Sequence, residues 1–431
     1  MRKNNVTIEV PVLARVEGEG ALELQITDGK ISSLKLRIYE PPRLFEKFLE
    51  KRPFSDVLDF VARICGICPV AYQMSAVHAI ESCFDIHPDA WVRAMRRLFY
   101  CGEWLESHSM HIHFLAIPDF FGYSSALDMA KDYPNEIKRG LQLQHMGNAI
   151  ISLLGARSVH PVGACVGGFY HAPSVASCQK LLQQVAESLE SARQLIHWVD
   201  SISFPDIAHE FTCVSLRHPT EYPMNEGQII SNKGMNISIE DFADYFQELQ
   251  VPYSNALHCK LQDETYLVGP LARLNNNYDR LPEEVIDLLR TLNIQFPSYN
   301  MCHSILARSI EIYYCLLEAK RLLENYDYPT LSKTEVLPQA GIGFGCTEAP
   351  RGMLWHSYAF DENGIVQKAR IVPPTSQNQA RIEQDLQYTL ENYGLEKSAA
   401  ELRSFSEMLI RNYDPCISCS THFLDLRVKR L

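Results

Sequence analysis

Two Cys-x-x-Cys pairs stand near opposite ends of this chain: Cys65-Gly66-Ile67-Cys68 and Cys416-Ile417-Ser418-Cys419. The spacing puts two sulfurs on one side of a tight turn, where they can grip one soft metal. Four thiolates hold zinc, an iron–sulfur cluster, or nickel with a second metal bridged through sulfur. A single pair is also the mark of a thioredoxin-like redox motif, and a four-cysteine zinc site is the plainest reading of two. Zinc ribbons draw their pairs from within a few tens of residues, whereas about 350 residues separate these. The flanks also carry groups that structural zinc does not need: Arg63 and Pro69 on one side, Asp414, Pro415 and His422 on the other.

The elements around the pairs must bring distant parts of the chain together. The N-terminal region reads as β. Thr7–Leu13 and Ala21–Thr27 alternate, and Asp28-Gly29 is a hairpin turn into Ile31–Tyr39. From Pro42 the pattern is helical, with 3.6-residue periodicity over about 69–83, 90–115, 138–155, 173–202 and 303–325, the last with Ser304 as N-cap. A second hairpin is expected over about 353–372, turning at Asn363-Gly364, followed by helices over about 377–392 and 397–411. The fold class is mainly α with small β elements (α+β), a helical body behind an N-terminal β meander. Residues 1–422 read as one domain, with no repeat or linker.

Composition narrows the function. Lys plus Arg is 40 against 52 for Asp plus Glu, a net charge of −12, which argues against nucleic acid or an anionic membrane as the partner. No apolar run approaches the length of a membrane span, and Met-Arg-Lys-Asn-Asn opens no signal core; the expected location is cytoplasmic. Thirteen cysteines in a chain of this length do not suggest a disulfide scaffold. The nine outside the two pairs, Cys83, Cys101, Cys178 and Cys315 among them, read as buried structural thiols.

The sequence Arg63-Ile64-Cys65-Gly66-Ile67-Cys68-Pro69, taken with Asp414-Pro415-Cys416-x-x-Cys419-x-x-His422, resembles the paired signatures of [NiFe] hydrogenase large subunits. The likeness covers nearly the whole chain. Arg15-Val16-Glu17-Gly18 resembles the N-terminal motif. Ser107 to Asp119, with His108, His111 and His113, resembles the histidine-rich helix, and His160-Pro161 leading to Gly167-Gly168 another block. Val268-Gly269-Pro270-Leu271-Ala272-Arg273 and Glu348-Ala349-Pro350-Arg351-Gly352 are similar to the soluble, cofactor-coupled branch, NAD(P)-reducing or sulfhydrogenase-like. Two departures stand out. Glu19 replaces a common His, and Pro373-Pro374-Thr375-Ser376-Gln377-Asn378 differs from the usual Pro-(Ser/Thr)-Thr-Trp-Asn; both point to a subgroup.

The resemblance implies reversible cleavage of H2 to protons and electrons. Cys65 and Cys416 would be terminal nickel thiolates, and Cys68 and Cys419 would bridge nickel to an iron carrying CO and two cyanides. Cys416 would take the proton and Glu17 would relay it. Arg351 would sit over the metals, steadied by Asp119 and Asp414, with Pro350 and Thr375 lining the pocket. His78 is read as a donor to a cysteine sulfur or as a satisfied core histidine. Glu46 and His422 match the ligands of a third ion, magnesium or iron, of the hard, carboxylate-liking kind.

The chain has no spare cysteine cluster, so electrons would leave through an iron–sulfur small subunit, then through ferredoxin-like and flavin subunits to NAD(P), or to sulfur or polysulfide. In the resembling family a maturation endopeptidase cuts after the His matching His422, once nickel-insertion factors have acted; residues 423–431 would be that extension. Two other classes remain: a metal-free quinone-oxidoreductase-type core subunit and a zinc-stabilised scaffold. Gly341-x-Gly343-x-Gly345 lacks the spacing and βαβ setting of a nucleotide loop. It and Gly163–Gly168 are expected to let the chain pass close to the metal pocket.

Overall fold

A computed structural model describes residues 6–421. The chain opens with an antiparallel meander of β1 (Val6–Val10), β2 (Gly20–Thr27) and β3 (Lys30–Ile38), paired in that order. Alternation sets its two faces: Leu22, Leu24 and Ile26 are buried while Gln25 and Thr27 are exposed. Asp28 and Gly29 turn the hairpin at φ 54° and 76°, a conformation these two residue types tolerate.

The body is helical, as its periodicity predicts. Its helices are α1 (Phe45–Leu49), α2 (Phe54–Val61), α3 (Pro69–Phe84), α4 (Ala90–Met110), α5 (Pro134–Gly155), α6 (Val175–Asp200) and α7 (Ser304–Glu324). Every residue of α3 is buried except His78, Ser82 and Cys83, so α3 is the central helix rather than an amphipathic one. Helices α4 and α5 meet through glycines: a Cβ on Gly147 would lie 2.5 Å from the Gly102 carbonyl oxygen and the Glu106 amide. Among the described residues, no helix is long and apolar enough to cross a membrane.

Three departures have physical causes. The helical run expected to 115 leaves α geometry at Met110 and makes a π turn, His111–Ala116, before a short Ile117–Phe120 helix; the wider turn shifts the phase of everything after it. Ser304 does not cap α7. It is buried, and its hydroxyl donates to the Asn412 carbonyl at 2.8 Å. The glycines at 341, 343 and 345 form an unexpected strand, β4 (Gly341–Ala349), beside β5 (Gly352–Phe360) and β6 (Val366–Val372). A Cβ on Gly343 would fall 1.9 Å from the Ala79 carbonyl oxygen, and one on Gly345 2.1 Å from that of Ser75. These glycines therefore let β4 lie flat on α3, not on the metal pocket. Gly163 and Gly168 likewise press against the Leu154 and Ser332 carbonyls.

The C-terminal third ends in α8 (Pro374–Tyr393) and α9 (Ala399–Asn412). Pro374 opens α8 at a position where its missing N–H has no cost. Ser398 and Glu401 form a reciprocal capping box on α9. Beyond α9 the chain dives back into the core, where Cys416, Ile417 and Cys419 are all buried.

Candidate metal centre

Cys65 and Cys68 occupy the turn between α2 and α3. Pro69 starts α3, and the buried Glu103 carboxylate of α4 accepts the first free amides, Val70 at 2.6 Å and Ala71 at 3.0 Å. Cys416 precedes Ile417 and Cys419 is the middle residue of a 3-10 turn over Ser418–Ser420. The two loops face each other. The sulfurs of Cys65 and Cys416 are 3.4 Å apart, those of Cys68 and Cys419 3.8 Å, and all four lie within 4.8 Å of one another. Cys416 and Cys419 are in direct sulfur contact, with Cα atoms 5.4 Å apart. All four side chains are buried.

The N-terminal motif lies alongside. Glu17 forms a parallel bridge with Cys416, and the Ile417 amide donates to the Glu17 carbonyl at 2.9 Å. The Glu17 Oε2 atom accepts from the Cys416 thiol at 3.3 Å and from the Ser418 amide at 3.0 Å; Oε1 accepts from the Ser418 hydroxyl. Arg43, which the spacing of the sequence does not single out, clasps both cysteine loops. Its Nη2 donates to the Ile64 carbonyl at 2.6 Å and to the Ser418 carbonyl, and its amide donates to the Thr421 carbonyl at 2.6 Å.

Arg351 stands in the tight turn between β4 and β5. Its Nε donates to the Asp414 carbonyl at 2.8 Å and its Nη2 to Asp414 Oδ1 at 3.0 Å. Burial opposes its charge, but Asp414, Cys68, Cys65 and Glu17 outweigh this and raise its pKa. The turn is held from behind by Arg273, whose guanidinium donates to the Ala349 and Pro350 carbonyls at 2.7 and 3.0 Å and pairs with Glu311 and Glu348, all wholly buried. The 268–273 and 348–352 motifs thus interlock. The Thr375 hydroxyl oxygen accepts the Cys416 amide at 2.9 Å, which leaves its own proton free to donate.

Other expected residues lie elsewhere. Asp119 does not reach Arg351. It pairs with Arg15 and with Arg411 at 2.9 Å. His78 is ten residues along α3 from Cys68, roughly 15 Å at the helical rise. It lines a separate cavity of about 420 Å³ with Glu81, Arg93 and Arg96, and burial lowers its pKa to about 3. Glu46, on α1, accepts the Ile371 amide at 2.7 Å, and burial raises its pKa to about 8. His422 and the 423–431 extension lie outside the described residues. The conspicuous histidines of the 107–119 stretch are structural: His108 meets Glu311 at 2.7 Å and His111 meets the Arg411 carbonyl at 2.7 Å.

The donor set fits a soft cation. Cys65 is pulled below the usual thiol range by its hydrogen bond with Cys68, and that hydrogen bond with Cys65 pushes Cys68 well above it. Four buried sulfurs within 4.8 Å of one another are the donors a soft metal takes. Arg351 Nη1 and the Tyr72 hydroxyl are among the buried donors without a protein partner in the described residues. Both interact electrostatically with Cys65 and Cys68. An unsatisfied buried donor costs about 1–3 kcal/mol, so both suit a sulfur-held group that brings acceptor atoms. Tyr72 could have been found from the sequence: it lies four residues after Cys68, on the same face of α3.

Fold and site together define a mainly helical protein with a buried four-cysteine cluster able to hold a metal ion. The chain belongs to the Nickel-dependent hydrogenase family, whose profile matches residues 43–139 and 231–422, and it is an oxidoreductase acting on H2. It is similar to Sulfhydrogenase 1 subunit alpha of Pyrococcus furiosus, with 31% identity over 99% of this chain and 100% of that one. It is also similar to the NAD-reducing hydrogenase HoxS subunit beta of Cupriavidus necator, with 28% identity over 96% of this chain and 94% of that one. The fold is shared with a crystal structure of NAD+-reducing [NiFe]-hydrogenase in the H2-reduced state, at TM-score 0.89 and 24% identity, covering 97% of this chain and 100% of that one. Family membership favours nickel over the zinc-scaffold and metal-free alternatives.

Proposed function

We propose that residues 1–422 form, as one domain, the catalytic subunit of a soluble, cytoplasmic [NiFe] hydrogenase. The observation that carries this reading is the Glu17 carboxylate at 3.3 Å from the Cys416 sulfur inside a four-cysteine cluster. A nickel–iron pair, its iron carrying CO and two cyanides, would supply the acceptor for the electron pair of H2. Cys65 and Cys416 would be its terminal ligands, and Cys68 and Cys419 the bridging ones.

The protein's own part is proton handling and positioning. Cleavage of H2 needs a base beside the electron acceptor. The Cys416 thiolate would take that proton and pass it to Glu17 Oε2, 3.3 Å away on a half-buried side chain. Arg351 Nη1 and the Thr375 hydroxyl would donate to the cyanides, with Pro350 lining the same pocket. Fixed donors of this kind orient metal ligands and tune their electronics. Glu46 and His422 would hold the third ion, magnesium or iron. The Arg43–Thr421 hydrogen bond, which leads the chain toward α1 one residue before His422, supports that pairing.

Electrons would pass to an iron–sulfur small subunit and on through ferredoxin-like and flavin subunits to NAD(P), or to sulfur or polysulfide. Nickel-insertion factors and a maturation endopeptidase would complete the site. An infrared spectrum of the purified complex, with metal analysis, tests the proposal. CO and CN stretches with nickel and iron are expected; zinc alone, or no metal, would overturn it.

A further inference from the structure

The mechanism above uses one carboxylate, Glu17, on the Cys416 side of the pocket. A second carboxylate lies on the Arg351 side. Glu106, on α4, is 8% exposed. One of its carboxylate oxygens has no partner among the described residues. The side chain is hydrogen-bonded to Gln144 of α5, which is half-buried and reaches solvent. The charged groups facing it are Arg351 and Asp414 and, one turn earlier on its own helix, Glu103. Glu103 in turn feels the charge of Cys65. Its position is enforced by close packing, since α5 presents Gly147 to it and a Cβ there would lie 2.9 Å from the Glu106 Cβ.

We infer that Glu106 is a second proton-holding station of the metal pocket, exchanging protons between the Arg351–Asp414 side and solvent at Gln144. The inference rests on the hydrogenase reading and deepens it. Cleavage of one H2 releases two protons, and Glu17 faces only one wall of the site. A wholly structural glutamate would have both oxygens paired, or would be replaced by an uncharged residue, because an unpaired buried carboxylate is costly. This one keeps an oxygen free within the field of a guanidinium and an aspartate. Burial raises its pKa to about 7, with the Gln144 hydrogen bond and Arg351 opposing the rise. It therefore picks up and releases a proton near neutral pH, where a relay is most effective. Its protonation changes the net charge beside Arg351.

The test uses the purified hydrogenase complex and follows a protonated-carboxyl stretch by infrared difference spectroscopy through neutral pH. The band is expected in wild type and in Glu17→Gln, and lost in Glu106→Gln. The pH profile of H/D exchange should lose its neutral inflection in Glu106→Gln and regain it, displaced, in Glu106→Asp. Gln144→Leu, on the partly exposed face of α5, covers the case in which Glu106→Gln fails to fold. Removing a hydrogen bond to the charged form should move the midpoint of the band to higher pH. A nickel-loaded enzyme whose carboxyl titration is unchanged in Glu106→Gln, or in Gln144→Leu, overturns this inference alone. An enzyme without nickel or H/D exchange overturns the hydrogenase reading and takes the relay with it.

Discussion

The Glu17 carboxylate and the Cys416 thiol are hydrogen-bonded at 3.3 Å although 399 positions separate them in the chain. The contact is locked from both ends: the Glu17 carbonyl accepts the Ile417 amide, and its side chain accepts the Ser418 amide. Glu17→Gln keeps the shape and removes the titratable proton. The metal site should stay intact while H2 oxidation and H/D exchange fall roughly 10²-fold or more, the scale of a general acid–base group. Wild-type exchange in this variant would rule out the relay.

The four sulfurs meet within 4.8 Å, so removing any one leaves an incomplete soft-ligand set. Cys65→Ser and Cys419→Ser should each lose nickel and all H2 activity. Elemental analysis of the purified variants decides this, and full nickel occupancy in Cys419→Ser would disprove the ligand assignment.

Arg351 makes two directed hydrogen bonds to Asp414 with one face of its fork and leaves Nη1 for the pocket. Lysine keeps the charge but not the planar fork. Arg351→Lys should retain nickel and iron, lower turnover by orders of magnitude and shift the cyanide stretches. Near-normal turnover with unshifted stretches would make the residue structural.

Arg43 is the clasp between the two cysteine loops, through Ile64 and Ser418. Arg43→Met preserves the aliphatic stem and leaves two buried carbonyls without a donor. Stability should drop by about 1–3 kcal/mol, and nickel should be lost more readily to a chelator. Thermal unfolding and chelation kinetics read both; a variant matching wild type in each would show that the loops close without the clasp.

Nine residues, Phe423–Leu431, follow His422 in the sequence. If they hold the Cys416–Cys419 turn open until nickel is inserted, the active protein should end at His422. Intact-mass measurement of the active complex checks this. An active, nickel-loaded subunit still carrying the extension would show that maturation here needs no cut.

Much of the site was legible because metal ligation is written in local spacing. Cys-x-x-Cys and Asp-Pro-Cys encode both ligand type and the turn that presents it, and no packing is needed to recognise them. The helices were legible for the same reason: an apolar period of 3.6 is a local property, and α3, α6 and α8 fall within a few residues of their expected ends. What misled was whatever depended on phase or on a distant neighbour. Asp119, expected beside Arg351, pairs instead with Arg15 and Arg411, neighbours from distant parts of the chain. His78 shares a helix with Cys68 but lies too far along it. The glycines of β4 looked like a pocket loop because nothing local shows that α3 lies against them.

By itself, then, the sequence marked the four candidate ligands and the helical class, since residue chemistry and periodicity act over a few positions; the family resemblance implied that the two pairs share a centre, and the fold brings their sulfurs within 4.8 Å. Only the tertiary structure decided which side chains surround that centre. Arg43, Glu103, Glu106 and Arg273 are drawn there from a loop and two helices far apart in the chain. Their closeness is set by how close-packed elements interlock, which no window of sequence contains.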